Sequence, residues 1–465
     1  MLSRKVKPEE KKAATPVAST YGQRFFTDGV PKHELPEQGM PGDAAYQIIS
    51  DELNLDGNPA LNLASFVTTW MEKEARQLIA ENLHRNFIDY DEYPQTREIH
   101  ERLVNMLARL YNAPEEMTAV GTSTIGSSEA LMLGLLACKW QWKKRRRAAG
   151  KPGERPNLVM GAEVHTVWEK FARYFEVEPR VVPMARNRFT FTAEEVLPLL
   201  DENTICVGAV LGTTFTGQID PIGELNEILL DVREKKGWDI PLHVDAASGG
   251  FVIPFTEPEL KWDFRLPRVK SINVSGHKYG LVYPGLGWLL FRDETDLDPD
   301  LVFSINYLGG EMETYTLNFS RDSSMVLAQY YNLLRLGRAG YRQIMTGIME
   351  NARHLAGLLA ETGRFDFLNR GEQMPVIVFR LRDESAFTVF DLSEKLRERG
   401  WIVPAYTLPP GADDVAVLRV VVRENFSCDL AEILAADIEN ACEALSQPGR
   451  QAVAPKKQRY GRRVC

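Results

Sequence analysis

Between residues 158 and 291, short apolar and β-branched runs alternate with segments of helical periodicity, and this alternation restricts the fold more than any other feature. Leu158–Met160, Arg180–Val182, Ile205–Val210, Leu242–Asp245, Ser271–Asn273 and Gly287–Phe291 read as strands. His165–Phe175, Ala193–Leu200 and Ile222–Lys236 read as the helices between them. Each helical return brings the chain back in the same direction, so the pattern predicts a mainly parallel sheet with helices on both faces. Upstream, Ile99, Leu103, Met106, Leu107 and Leu110 mark a helix over Arg97–Tyr111. A long apolar helix opens at Gly126-Ser-Ser-Glu129 and runs to about Arg147. Its basic end, Lys143–Arg147, lies where cations favour the helix dipole, so a solvated helix end explains it better than a nucleic-acid patch.

Downstream, a helical stretch over Ser324–Glu361 is interrupted by Gly337 and Gly340. Beyond it, strands at Pro375–Leu381, Ile402–Tyr406 and Val415–Val422 alternate with helices at Val389–Arg399 and Asp429–Leu445. The expected organisation of this α/β chain is an N-terminal arm (1–60, with a short helix near Ala44–Leu53), a large domain (61–340), a smaller C-terminal α+β domain (341–447) and a basic, flexible tail (448–465). At 465 residues the chain exceeds what one compact core holds. A net charge of -9 argues against nucleic acid as the main partner. The opening MLSRKVKPEEKK has no apolar core of a secretory signal, and the longest apolar run, near Ala130–Cys138, is too short to cross a bilayer. A cytoplasmic protein without a membrane partner is expected. Cys138, Cys206, Cys428, Cys442 and Cys465 form no CxxC pair, so neither a disulfide framework nor a metal site is indicated.

Three segments carry chemistry. Ser271-Ile-Asn-Val-Ser-Gly-His-Lys-Tyr-Gly280 delivers Lys278 at a strand end among glycines, where a bulky ligand can approach. Burial there favours the neutral amine, which can attack an aldehyde and form a Schiff base. Leu242-His-Val-Asp-Ala-Ala-Ser-Gly-Gly250 places Asp245 at a strand's C-terminal end, where open α/β sheets bind ligands. Asp245 could pair with a pyridinium nitrogen or could equally cap the next loop. His243, two residues earlier, reads as a core histidine. Gly121-Thr-Ser-Thr-Ile-Gly-Ser-Ser-Glu129 sets hydroxyls and glycines before a helix N-terminus, which suits a phosphate or a plain cap by Ser127 or Ser128.

The order of anion cup, strand-end Asp and strand-end Lys is that of the aspartate-aminotransferase-like pyridoxal enzymes. The chain resembles the group II amino-acid decarboxylases and, within them, the glutamate decarboxylases. The resemblance rests on Asn62-Leu-Ala-Ser-Phe66, Ile88-Asp-Tyr-Asp-Glu-Tyr-Pro-Gln95, Gly126-Ser-Ser-Glu129, Trp168-Glu-Lys-Phe-Ala-Arg-Tyr174, Thr214-Phe-Thr-Gly217 and His243-Val-Asp-Ala-Ala-Ser-Gly-Gly250. It continues through Ser275-Gly-His-Lys278, Tyr307-Leu-Gly-Gly310 and Asn318-Phe-Ser-Arg321. It implies an aspartate-aminotransferase-like (fold type I) large domain, pyridoxal 5'-phosphate as cofactor, an amino-acid substrate and a homodimer or higher homo-oligomer.

By that resemblance Lys278 would hold the cofactor, and Lys278 and His277 would serve the catalytic proton transfers. Ser127, Ser128, Ser275 and His277 would line the phosphate and lysine region, with Ser320 reaching the phosphate from the neighbouring subunit. Asp245 would pair with the ring nitrogen, Ala247 and His165 would lie on its two faces, and Thr214 would sit near the 3-hydroxyl. Arg423 would bind the substrate α-carboxylate, and Ser65, Phe66 and Asp89 would lie near its distal carboxylate. Glutamate decarboxylases usually carry Gln where this chain has His165, and other group II decarboxylases carry His. Aspartate, cysteine sulfinate or an aromatic amino acid is therefore the alternative substrate, and a non-catalytic relative the alternative of another class. The tail, Tyr460-Gly-Arg-Arg-Val-Cys465, has neither a histidine to close the site nor an amphipathic aromatic pattern for calmodulin, so neither is expected. Asp89 beside a substrate carboxylate would bring like charges together and raise one pKa. Activity should therefore be higher at acidic than at neutral pH, and Asp89→Asn should extend the pH–rate profile toward neutral. A profile unchanged by that substitution would contradict the placement of Asp89.

Overall fold

The computed structural model describes residues 31–307, 309 and 311–447. The chain divides into a unit ending at Pro59, whose described part holds α1 (Gly42–Leu53), and a second unit from Ala60 on. The second unit begins with α2 (Lys73–Asn82), α3 (Pro94–Leu110), β1 (Val120–Thr124), α4 (Ser127–Ala148), β2 (Asn157–Gly161), α5 (Thr166–Tyr174) and β3 (Glu178–Val182). It continues with α6 (Ala193–Val196), β4 (Thr204–Val210), α7 (Ile222–Lys236), β5 (Leu242–Asp245), α8 (Ile253–Thr256), β6 (Val269–Ser275) and β7 (Gly287–Phe291). The hairpin β8 (Phe303–Ile305) and β9 (Met312–Thr314) leads to α9 (Ser324–Glu361). Last come β10 (Phe365–Arg370), β11 (Val376–Leu381), α10 (Val389–Arg397), β12 (Ala405–Thr407), β13 (Ala416–Val421) and α11 (Cys428–Ser446).

The large sheet has the order β1-β7-β6-β5-β4-β2-β3. The pairs from β3 through β6 are parallel, and β7 runs antiparallel to both its neighbours. Every residue of β2, β4, β5 and β7 is buried, which is why these strands read as unbroken apolar runs rather than as alternating ones. The reversal at β7 has a simple cause. The link from Ser275 to Gly287 holds no helix, and without a crossover helix the next strand returns antiparallel. A mostly parallel α/β sheet is thus the observed architecture. The second sheet, β10-β11-β13-β12, is antiparallel.

The sequence expectations differ from the structure in instructive places. The helix expected through Leu200 stops at Val196 and tightens into a 3₁₀ turn containing Pro198, which cannot donate to a continued α-ladder. In α9 only Gly337 leaves helical geometry (φ 57, ψ -171), and Gly340 stays within the helix. Ile402 makes only an isolated bridge to Asn62, and β12 starts at Ala405, just after Pro404. The edge strand β1 escaped the sequence reading because Val120-Gly-Thr-Ser-Thr124 has almost no apolar signal. The basic end of α4 is a helix end with ion pairs, Arg146 to Glu202 at 2.9 Å among them.

One close approach links the sheet to the site. A Cβ on Gly208 of β4 would lie 2.3 Å from the Trp168 ring of α5, a distance no packed side chain tolerates. Gly208→Ala should lower stability by about 1–3 kcal/mol, read as a lower urea midpoint with an unchanged slope.

Candidate active site

The C-terminal ends of the parallel strands and the N-terminus of α4 enclose a cavity of about 400 Å³. This is the end at which α/β sheets bind ligands. Lys278 stands three residues beyond β6, and its Nζ donates to Ser248 Oγ at 3.2 Å. Protein surrounds the amine except toward the cavity. Burial pulls its pKa from 10.5 to about 8; Asp245 opposes the shift and the Arg419 charge adds to it. At neutral pH roughly a tenth of such an amine is uncharged and nucleophilic, far more than of a surface lysine.

Asp245 ends β5 and is buried, with its carboxylate pinned by donors from three directions. Oδ2 accepts Trp168 Nε1 at 3.2 Å, and Oδ1 accepts Asn273 Nδ2 at 2.8 Å and the Ala247 amide at 3.1 Å. Trp168 and Asn273 were not singled out from the sequence. Trp168 sat in a family stretch without a role, and Asn273 looked like an ordinary strand residue. His243 belongs to the core below: its ring meets Ser271 Oγ at 2.6 Å and Asn273 Oδ1 at 2.7 Å, and burial lowers its pKa to about 4.

On the opposite wall α4 begins at Ser127, whose hydroxyl accepts from Asn273 Nδ2, and Ser128 follows at the cavity edge. Ser275 Oγ lines the same cavity, buried and without a hydrogen-bond partner. A buried hydroxyl with no partner among the described residues, a helix N-terminus and a partly neutral lysine suit a phosphate-bearing aldehyde, so the residues present fit pyridoxal phosphate. Thr214, Ala247 and His165 border the cavity as well. The His165 ring is reachable from it. Crowding by protein still lowers its pKa, Asp245 opposing and Lys278 assisting. Its Nδ1 caps α5 by accepting the Val167 amide at 3.3 Å. Burial, helped by Lys278, lowers His277 to about 4. His277 Nδ1 accepts the Leu286 amide at 3.3 Å, which leaves the proton of the neutral ring on Nε2.

The substrate-side residues separate into two groups. Residues 62–69 form a strap over Lys278: the Thr68 hydroxyl donates to the Lys278 carbonyl at 2.7 Å, and the Phe66 ring lies 5.1 Å from Nζ. Ser65 Oγ accepts the Val67 amide at 3.1 Å. Arg423 is buried and anchors the strap, donating to the carbonyls of Val67 and Asn62 and to Thr69 Oγ1. Arg419, four residues earlier on β13, is the arginine whose charge acts on the amine. It sits 5.3 Å from the Phe66 ring, donates to the carbonyls of Thr214 and Ala64, and has a buried Nε with no partner among the described residues. Four residues separate the two arginines, and only packing tells them apart.

Asp89 and Ser320 do not line the cavity. They meet at Asn86, whose Nδ2 donates to Asp89 Oδ2 at 2.9 Å and approaches Ser320 Oγ at 3.4 Å. Ser320 is exposed. Of Tyr307-Leu-Gly-Gly310, residues 308 and 310 fall outside the described residues, as does the tail from 448 on.

The Lys278 amine must lose its proton to attack an aldehyde, and that loss is favoured as pH rises. The rate of pyridoxal phosphate capture by cofactor-free protein should therefore climb through about pH 8 and level off above it. Stopped-flow absorbance measures this. A rate flat between pH 6 and 9 would contradict the neutral-amine account.

Comparison with known proteins agrees with this geometry. Residues 36–382 match the pyridoxal-dependent decarboxylase conserved domain. Glutamate decarboxylase 1 of Arabidopsis thaliana is 53% identical over 433 residues, covering 93% of this chain and 86% of that protein. The glutamate decarboxylase of Aliivibrio fischeri is 47% identical over 426 residues, 91% of this chain and 92% of that protein. The solved glutamate decarboxylase of Lactobacillus brevis superposes with a TM-score of 0.90 at 42% identity, covering 93% of this chain and 99% of that one. The chain belongs to the pyridoxal-dependent decarboxylase family and, within it, to the glutamate decarboxylase group.

Proposed function

We propose that the chain removes the α-carboxylate of L-glutamate, giving γ-aminobutyrate and CO2. The observation that carries this is the single cavity joining Lys278, Asp245 and the α4 N-terminus, in a chain 47% and 53% identical to enzymes named glutamate decarboxylase. Lys278, Ser127, Ser128, Ser275, Thr214, Ala247, His165 and Asp245 would hold pyridoxal phosphate. When bound, the cofactor supplies an aldehyde and an electron-accepting ring that takes up the pair left on Cα as CO2 departs.

The chain's own residues orient and protonate. Arg419, a planar donor beside the Phe66 ring whose charge acts on the Lys278 amine, receives the substrate α-carboxylate, and Arg423 holds the strap that shapes the pocket. Phe66 covers Lys278 and Arg419 and keeps water from the reacting bond. Asp245, fixed by Trp168 and Asn273, meets the ring nitrogen. Lys278 Nζ or His277 Nε2 returns a proton to Cα, and the reaction consumes one proton overall. Asp89 and Ser320, gathered on Asn86 away from the cavity, serve the site of a second copy, so the working unit is at least a symmetric dimer. Ser65 and Phe66 then meet the partner's surface near the substrate's distal carboxylate. A cytoplasmic location accords with Cys138, Cys206, Cys428 and Cys442 being free thiols.

CO2 release from glutamate, aspartate, cysteine sulfinate and aromatic amino acids by cofactor-supplemented protein tests the substrate. Glutamate should be preferred; preferential release from another amino acid would overturn the assignment. Lys278→Ala should abolish turnover. Arg419→Met should lower kcat/KM by about 10²-fold or more (~3 kcal/mol for truncating a buried charge partner), whereas Arg423→Lys should chiefly lower stability.

A further inference from the structure

Behind the pocket wall lies a second ionisable group that the reaction above does not use. Glu163 sits between Gly161, the last residue of β2, and His165, and is 1% exposed. Its side chain turns back beneath its own strand: a Cβ on Gly161 would fall 1.7 Å from Oε1 and 2.3 Å from Cδ, a space only glycine leaves. Asp220, 3% exposed, closes the loop that follows β4 and carries Thr214. Its Oδ2 accepts the Val210 amide at 2.7 Å, and its own amide donates to the Val210 carbonyl at 3.1 Å. β2 and β4 are neighbours in the sheet, and the two carboxyls meet across their ends.

Apart from the Glu163 carboxyl's contact with its own backbone amide, neither of its oxygens nor Asp220 Oδ1 has a donor among the described residues. Two ionised carboxylates can only accept, so unprotonated they would face each other with buried oxygens lacking donors and two like charges together. One proton between them makes a donor of one and satisfies both. The surroundings do not supply a substitute. Arg188 faces Glu163, but its guanidinium is engaged by Glu195 at 2.6 Å, and Asp245 adds negative charge on the Asp220 side. Burial puts the Glu163 carboxyl at about 7, and burial with the Glu163 charge puts Asp220 well above the usual carboxylate range. Asp220 also borders a cavity of about 610 Å³ that shares no lining residue with the active pocket, which gives the proton its own route to water.

We propose that Glu163 and Asp220 share one proton and act as a positioning pair, clamping the ends of β2 and β4 so that the segments bearing His165 and Thr214 keep their places in the pocket wall. The shared proton is independent of the substrate; only its effect on turnover rests on the glutamate decarboxylase assignment. The folded protein holds this proton where the unfolded chain has lost it. The pair therefore lowers stability progressively as pH rises from the ordinary carboxylate range through about 7, where Glu163 ionises, and loss of the remaining proton, held on Asp220 at higher pH, loosens the clamp.

Infrared spectroscopy of the full-length protein reads the proton directly. At pH 6 the wild type should show a protonated-carboxyl C=O band that loses part of its intensity near pH 7, keeps the rest to higher pH, and is missing from Glu163→Gln and from Asp220→Asn. Glu163→Gln keeps a donor toward Asp220 without titrating. It should shift the alkaline limb of the kcat profile upward by at least ~1 pH unit, and its Tm advantage over wild type should grow from pH 5 to pH 8. A wild-type spectrum without the band would overturn the shared proton, and this needs no variant to fold. A band present alongside superimposable pH profiles for wild type and both variants would overturn the positioning role. Failure to release CO2 from glutamate would touch neither the band nor the Tm difference.

Discussion

A carboxylate at the buried end of a parallel strand has no water to solvate it, and everything around Asp245 follows from meeting that need. Trp168 reaches it from α5, Asn273 from β6 and Ala247 from the next loop. Asn273 also binds Ser127 at the start of α4 and His243 in the core, so one amide ties the carboxylate to the anion cup and to the sheet interior. A charge fixed in this way costs little reorganisation when a cofactor ring arrives, which is the basis of electrostatic preorganisation. The same charge opposes the full desolvation shift of Lys278, leaving an amine that is neither locked as a cation nor wholly neutral.

The strap over Lys278 illustrates how a mobile-looking segment becomes part of a rigid site. Residues 62–69 have no regular structure beyond an isolated bridge, yet their backbone polar groups are met by Arg423, Arg419, Ile402 and Val421. Arginine suits this work because its planar fork satisfies several carbonyls at once. Of the two arginines on and beside β13, Arg423 donates to the strap at Val67, Asn62 and Thr69, and Arg419 at Ala64 and, across the pocket, at Thr214. Arg419 is the one whose charge acts on the Lys278 amine.

Buried ionisable groups in this fold are resolved in two ways. His243 and His277 are held neutral, with pKa values near 4, because burial outweighs what opposes it, the Asn273 hydrogen bond and Asp245 charge at His243 and the Leu286 amide at His277. Glu163 and Asp220 face each other, and their chemistry is that of a pair rather than of either residue. His277, Glu163 and Asp220 lie in the loops at one end of the sheet, and His243 lies just below them within β5.

How much of this was legible in the sequence follows from the range of the interactions involved. The strands β2, β4, β5 and β7 and the helices α7 and α9 could be read because burial on both faces, or 3.6-residue periodicity, leaves a local trace. Lys278, Asp245 and Ser127 could be singled out because strand ends among glycines and a helix N-terminus are local features. The edge strand β1, lacking an apolar pattern, left no such trace. The difference between Arg419 and Arg423, the role of Trp168 and the meeting of Glu163 with Asp220 were decided only by tertiary structure. Each depends on partners tens to hundreds of residues away, and no periodicity within a single segment records which distant atom a side chain will reach.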